Sequence, residues 1–392
     1  MTPLLGLVAI GAVFFRPAAP RPSFLLAAFA ILIIWVSAST LWSPALDTPV
    51  FSGSLADGNF AIKFSALRLV GIALATGVSI AVLQSSKAYP RHAATLLAGI
   101  FGVHLAMLLA TPPLLDRGLA MAYETQIEAQ RDGMQNVLRF ANALALVLPV
   151  LLAAVWTRGG WVRNVGVFAI APAVAVFAFL GSAAAILAVV LTLLFVGLVI
   201  VFPRSGFRVI YTGIAVMVMA APLLGRLAGL FDTLNLNLPL SFQSRVWAWH
   251  AVTEKVSERP ITGHGLEAAS TWRETYLTRP EWLADVVSRG GVEAAWTRYP
   301  LIPSHPHNMA LEIWAETGLI GAILTATTLI ALGFRLPPPA AMSQRLKMGA
   351  AGLTGAALAI ASVSYSVWNE AFWASLVLVT MALIILARAE RA

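Results

Sequence analysis

Long apolar runs recur along almost the whole sequence, and they limit the fold more than any other feature. They fall at roughly 3–15, 23–41, 65–83, 94–111, 138–156, 164–180, 183–201, 208–223, 309–333, 348–366 and 371–387. Most are long enough for a helix to cross about 30 Å of hydrocarbon, where every backbone N–H and C=O must be satisfied within the segment. The expected fold class is therefore all-α: a polytopic membrane protein with about 11–12 transmembrane helices and a large helical loop between the eighth and ninth spans. Composition agrees, since only 11% of residues are charged against about 25% in soluble domains. Residues 4–15 lack a preceding basic region and a small-residue cleavage site, so a cleavable signal is not expected.

The short connections give the orientation. Arg16 and Arg21, Lys87 and Arg91, Arg158 and Arg163, Arg204 and Arg208, and Arg335, Arg345 and Lys347 lie in alternate connections, with Arg388 and Arg391 in the tail. Nearly all Asp and Glu fall on the other side. The positive-inside rule puts the tail in the cytoplasm and residues 224–306 outside. Three regions follow: N-terminal spans to residue 223, the loop 224–306, and C-terminal spans from 307. The net charge of +8 is spread over loops and forms no basic run, so nucleic acid is not an expected partner. With no cysteine, thiolate chemistry and disulfides are excluded.

Polar chemistry concentrates in the large loop and in the stretch that closes it, SHPHNMALEIWAETGLIGAILTA, Ser304 to Ala326. SFQSRVWAWHAVTEKVSERP reads as an amphipathic helix with Trp247, Val252 and Val256 on one face, Ser241 or Ser244 as its cap, and Pro260 as its stop. PEWLADVVSRGGVEAAWTRYP, 280–300, reads as two short helices. The loop tryptophans suit anchors on the bilayer surface. ETQIEAQRDG, before the 138–156 span, reads as a short surface helix.

His307 opens the ninth span, and imidazole is the side chain best matched to proton transfer near neutral pH. His305, His307 and His264 could also meet around zinc, although their spacing is not a known ligand pattern. Arg245 opens the loop helix, and a guanidinium fork matches a phosphate. Arg68, Arg131 and Arg139 lie on the outer ends of spans, where an arginine must snorkel or find an anion. Glu312 and Glu316 share a helical face, and Glu316 suits the positioning of a neighbouring arginine or backbone group. There is no P-loop and no Asp-x-Asp pair of the kind that holds a divalent metal in many sugar transferases.

Three elements in order resemble the O-antigen ligase/polymerase family: RVW from Arg245, PITGHG from Pro260 to Gly265, and His307-Asn308 followed nine residues later by GLIG, Gly318 to Gly321. STLWSP, RDG at Arg131 to Gly133 and ANA at Ala141 to Ala143 look like earlier signatures of that family. The resemblance implies a metal-independent membrane glycosyltransferase, with no cofactor, on the periplasmic side of a bacterial inner membrane. It implies an undecaprenyl-pyrophosphate-linked glycan as donor and lipid A–core, or another glycan, as acceptor. His307 would then be the base and Arg245 the pyrophosphate ligand; Arg139, Arg131, Asn308, Glu316 and His305 are expected as substrate contacts on their own positions. One departure stands out: where the family often carries Ser-Arg-Gly, this sequence reads GSAA, Gly181 to Ala184, with Ala183 in the arginine's place. Arg139 or Arg131 could supply the charge. A polymerase of the same family uses the same chemistry. A flippase would show repeated halves and polar residues at mid-membrane, and neither is evident. A purely structural subunit would leave His307 and Arg245 replaceable.

Overall fold

The computed structural model describes residues 23–46, 51–52, 61–62, 65–85, 90–123, 127–156, 160–228, 240–276 and 300–389. Eleven helices run through them: α1 (Phe24–Ser39), α2 (Ser65–Ser85), α3 (Pro90–Tyr123), α4 (Ile127–Trp156), α5 (Gly160–Phe179), α6 (Ala183–Val201), α7 (Gly206–Ala228), α8 (Leu240–Glu258), α9 (Met309–Arg335), α10 (Gln344–Val363) and α11 (Glu370–Ala389). Extended pairing among the described residues amounts to Phe51–Ser52 against Ala61–Ile62 and a bridge between Thr275 and Pro300. Among the described residues, seven helices are long and apolar enough to cross a membrane, and shorter apolar stretches lie at Ala66–Ser79, Gly99–Leu115 and Gly166–Phe179. The protein is an all-α, multi-pass membrane protein, and these stretches coincide in order with the second to eleventh expected spans. The first expected span, 3–15, and the expected helices of 280–300 lie outside the described residues.

Small residues set the packing. In α10, Gly349, Gly352 and Gly355 recur every third position, and a Cβ on Gly355 would come within 2.4 Å of the Leu191 carbonyl oxygen. Without side chains there, α10 lies directly on α6 and α4, and Thr192 Oγ1 donates across the contact to Gly352 O at 3.0 Å. Close approach of this kind is what holds helices together where lipid is as apolar as the protein. A second contact pairs α9 with α7 and α1.

Two expectations about loops change. α3 and α4 continue well past their apolar cores and are separated by residues 124–126, so ETQIEAQRDG is largely the first turns of a 30-residue helix rather than a separate one. The α8 helix begins at Leu240 with Ser241 and Ser244 inside it. It is docked on protein, because Trp247, Val252 and Val256 are buried with Tyr276, Leu301 and Leu311 between α7 and α9. Trp247 is 1% exposed, and Trp249 Nε1 donates to Pro306 O at 2.9 Å. These two tryptophans anchor a protein interface, which corrects the bilayer-anchor reading for them; Trp282 and Trp296 are not among the described residues.

Candidate active site

The His-Asn pair sits at the entry of α9. Asn308 is the N-cap: its side-chain oxygen accepts from the N–H groups of Ala310 at 3.1 Å and Leu311 at 3.2 Å. That satisfies donors every helix leaves open at its start. The residue expected as a substrate contact therefore spends its carboxamide oxygen on the cap. His307, just before it, adopts φ 54°, a left-handed conformation rare outside glycine. Its backbone N–H donates to His305 Nδ1 at 3.1 Å, and the two imidazoles meet edge to face with centroids 4.3 Å apart.

The His307 ring is oriented from the other side. Its Nδ1 lies 2.8 Å from the carbonyl oxygen of Ser364, at the end of α10. A carbonyl can only accept, so Nδ1 carries the proton and Nε2 holds the lone pair. Burial draws the His307 pKa below its ordinary value; the Ser364 carbonyl pulls the other way, and the positive charge of Arg245 lowers it further. Burial, then its neighbour His307, pushes His305 down to about 3. Both rings are therefore neutral at neutral pH. Arg245, on the first turns of α8, is close enough for its field to reach His307, and its guanidinium lies 5.9 Å from the Phe242 ring. Burial lowers the Arg245 pKa, marking a partly desolvated cation.

The glycines of the motif have a mechanical explanation. α9 is broken at Gly318, where φ is 66° and ψ −165°. The freed backbone is met by the 260–265 turn: Leu319 N and Ile320 N donate to the carbonyls of Pro260 and Ile261 at 2.9 and 3.3 Å, while His264 N and Gly265 N donate to Ala315 O and Glu316 O at 2.9 and 2.8 Å. A Cβ on Gly318 would lie 2.2 Å from Ile261 O. STLWSP joins the same knot, since Ser43 Oγ donates to Leu266 O at 2.6 Å and Trp35 Nε1, one turn earlier, donates to Thr317 O at 3.0 Å.

The two carboxylates of α9 are struts. Glu316 is fully buried. Its oxygens accept from Glu267 N at 2.7 Å, Ala269 N at 3.1 Å and Trp368 Nε1. It holds the turn after Gly265, in keeping with the expectation that Glu316 positions a backbone group. Glu312 accepts from Ser366 Oγ at 2.6 Å and Val367 N at 2.7 Å. Buried carboxylates are tolerated when donors saturate them in this way. Arg68 closes the ring by bridging Glu370 at 3.1 Å and Glu267 at 3.2 Å. The sequence placed Arg68 at the outer end of its span; only the fold supplies its partners.

The remaining candidates sit apart from this knot. Arg139 is exposed on α4 and donates to Asn136 at 3.1 Å, with its field reaching Tyr365. Arg131 lies in the first turns of α4, and its side chain is outside the described residues. His264 Nε2 is taken by Lys255 O at 2.9 Å at the far end of α8, and no group of three His, Asp or Glu among the described residues is arranged to hold a metal ion. Two cavities border α9. One, of about 170 Å³, touches Asn308, Trp249 and Ser362. The other, of about 400 Å³, is almost wholly apolar and lies between α1, α2, α9 and α11, lined by Phe29, Leu69, Ile72, Thr317, Trp368 and Trp373.

No solved structure matches the chain. It is similar to a Rickettsia conorii protein described as a polysaccharide ligase, with 36% identity over 80 residues, covering 20% of this chain and 16% of that relative. A family model described as O-antigen ligase matches residues 165–326, from α5 through the first two-thirds of α9. That segment holds Arg245, the 260–265 turn, His307 and the Gly318 break, and over it the chain is similar to the O-antigen ligase family.

Proposed function

We propose that the protein transfers a glycan from a polyprenyl-diphosphate donor to an acceptor hydroxyl, with His307 as the base and Arg245 on the diphosphate. The observation that carries this reading is the pairing of a neutral imidazole, held with its Nε2 lone pair available, with a partly desolvated guanidinium whose field reaches it. Nε2 takes the proton of the acceptor hydroxyl as that oxygen attacks the anomeric carbon. The bond from that carbon to the diphosphate oxygen breaks, and the electron pair leaves on the diphosphate. An arginine fork neutralises that charge. The apolar cavity along α9 suits the donor's lipid tail. Arg139 and Arg131 remain the proposed further contacts to the diphosphate, and His305 steadies His307 by accepting from its backbone N–H.

The acceptor we favour is lipid A–core, which makes the protein an O-antigen ligase of the inner membrane, acting on the periplasmic face with its C-terminus in the cytoplasm. The test is a lipopolysaccharide gel from a deletion strain complemented with wild type, His307→Ala or Arg245→Ala at matched expression. Restoration of the long-chain ladder by wild type alone, with lipid-linked glycan accumulating in both variants, is the expected result. Core capped with a single repeat in the deletion strain would instead identify a polymerase. Wild-type ladders from both variants would remove the site assignment.

A further inference from the structure

We infer that Asn142, a buried amide on α4, is a positioning residue for His307, acting through Ser364. The inference rests on the base role proposed above and adds the machinery that holds the base. Asn142 is 5% exposed inside an otherwise apolar stretch of a membrane-crossing helix, where an unsatisfied amide is costly. Its Nδ2 donates to Ser364 Oγ at 3.0 Å. Its Oδ1 accepts from Ser182 Oγ at 3.2 Å. Two hydrogen bonds thus converge on one amide, and the far end of the chain of bonds is the Ser364 carbonyl under His307 Nδ1.

The backbone explains why the pin is needed. Ser364 ends α10 at φ −133°, ψ −68°, outside the helical well. Its N–H is tied to Ile360 O at 3.0 Å, and its hydroxyl is tied to Asn142. With both held, the direction of its carbonyl is set. A carbonyl cannot take up a proton, so this is no proton relay; it selects the Nδ1–H tautomer and aims Nε2. The groups facing His307 are His305 from its own turn and Arg245 from α8, and neither accepts from Nδ1. The same arrangement gives two sequence stretches a structural part. ANA places Asn142, and GSAA, the stretch that departs from Ser-Arg-Gly, places Ser182, whose hydroxyl both caps α6 and steadies the amide.

The experiment uses the full-length protein in lipid nanodiscs with ¹⁵N-histidine, comparing wild type with Asn142→Ala, Ser364→Ala and the conservative Ser364→Thr. The His307 resonances are assigned by their loss in His307→Gln. In wild type, Nδ1 reports the protonated form; in Asn142→Ala and Ser364→Ala the two tautomers mix, and Ser364→Thr restores the single one. In a transfer assay with the organism's own lipid-linked glycan, kcat falls about tenfold or more with the donor KM within about twofold, and the double variant falls no further than either single one. An unchanged His307 pattern in Asn142→Ala, with wild-type kcat, overturns the inference. If Asn142→Ala does not fold, Ser364→Ala decides, since it keeps the carbonyl and loses only the pin. Absence of transfer by wild type with an intact tautomer shift counts against the proposed reaction and leaves the positioning standing.

Discussion

His307 is built to be neutral, and the pH dependence follows from that. Burial and Arg245 both lower its pKa from the ordinary value of about 6.5. In the proposed reaction the base must be unprotonated, so transfer falls only as pH drops through that lowered pKa, and the acid limb of kcat/KM lies below about pH 6.5. Removing Arg245 removes one of the lowering causes. The His307 pKa then rises, and in Arg245→Ala the limb moves to higher pH on top of a loss of about a hundredfold or more. Arg245→Lys keeps the charge and leaves the limb in place, while losing the fork. A pH–rate profile of the three proteins checks this; a limb that does not move in Arg245→Ala separates the two residues. Folding responds with the same sign. The folded histidines bind protons less readily than the unfolded ones, so their contribution to stability is intact above about pH 6.5 and is lost as pH falls towards the His305 value of about 3.

At the scale of elements, the α9 break is the feature that brings the loop to the membrane helix. Gly318 is at φ 66° with a carbonyl 2.2 Å from where its Cβ would be, and that carbonyl is backbone. Gly318→Ala should therefore cost more than about 2 kcal/mol, because neither the conformation nor the neighbour can yield. Gly213→Ala in α7 meets nothing within 4 Å and should be neutral or stabilising by up to about 1 kcal/mol. Thermal unfolding midpoints in one detergent compare the two; equal midpoints would mean that the 260–265 turn is not what holds the break. The α8 helix makes the complementary point. Its sequence pattern told which face is apolar, and Trp247 and Val256 are indeed inward. A pattern cannot tell whether an apolar face meets lipid or protein, and here it meets α7, α9 and Tyr276.

For the whole molecule, the alternation of basic connections predicts which end faces which compartment. The chain has no cysteine, so single cysteines report without background. Ser304→Cys, on the exposed turn before His307, should react with a membrane-impermeant maleimide in intact spheroplasts. Ala340→Cys, exposed between α9 and α10, should react only after permeabilisation. The reverse pattern would invert the orientation and put the His307 site in the cytoplasm. The packing of α10 on α4 and α6 ties this topology to the site, since the same helix that fills the bundle interior with Gly352 and Gly355 ends at Ser364 beneath His307.

The hydrocarbon thickness and the cost of bare backbone groups in lipid made the spans legible from sequence alone, because those limits act on each segment independently. His307 and Arg245 were singled out as candidates for a related reason: an imidazole and a guanidinium are costly at a membrane mouth unless used. Pairings were not legible. Arg68 between Glu267 and Glu370, and Asn142 under Ser364, join residues as much as about 300 positions apart. Hydropathy carries no record of such partners. Hydrogen bonds are directional and short, so which donor meets which acceptor was decided only when the glycine faces of α10 and the break at Gly318 brought the helices together.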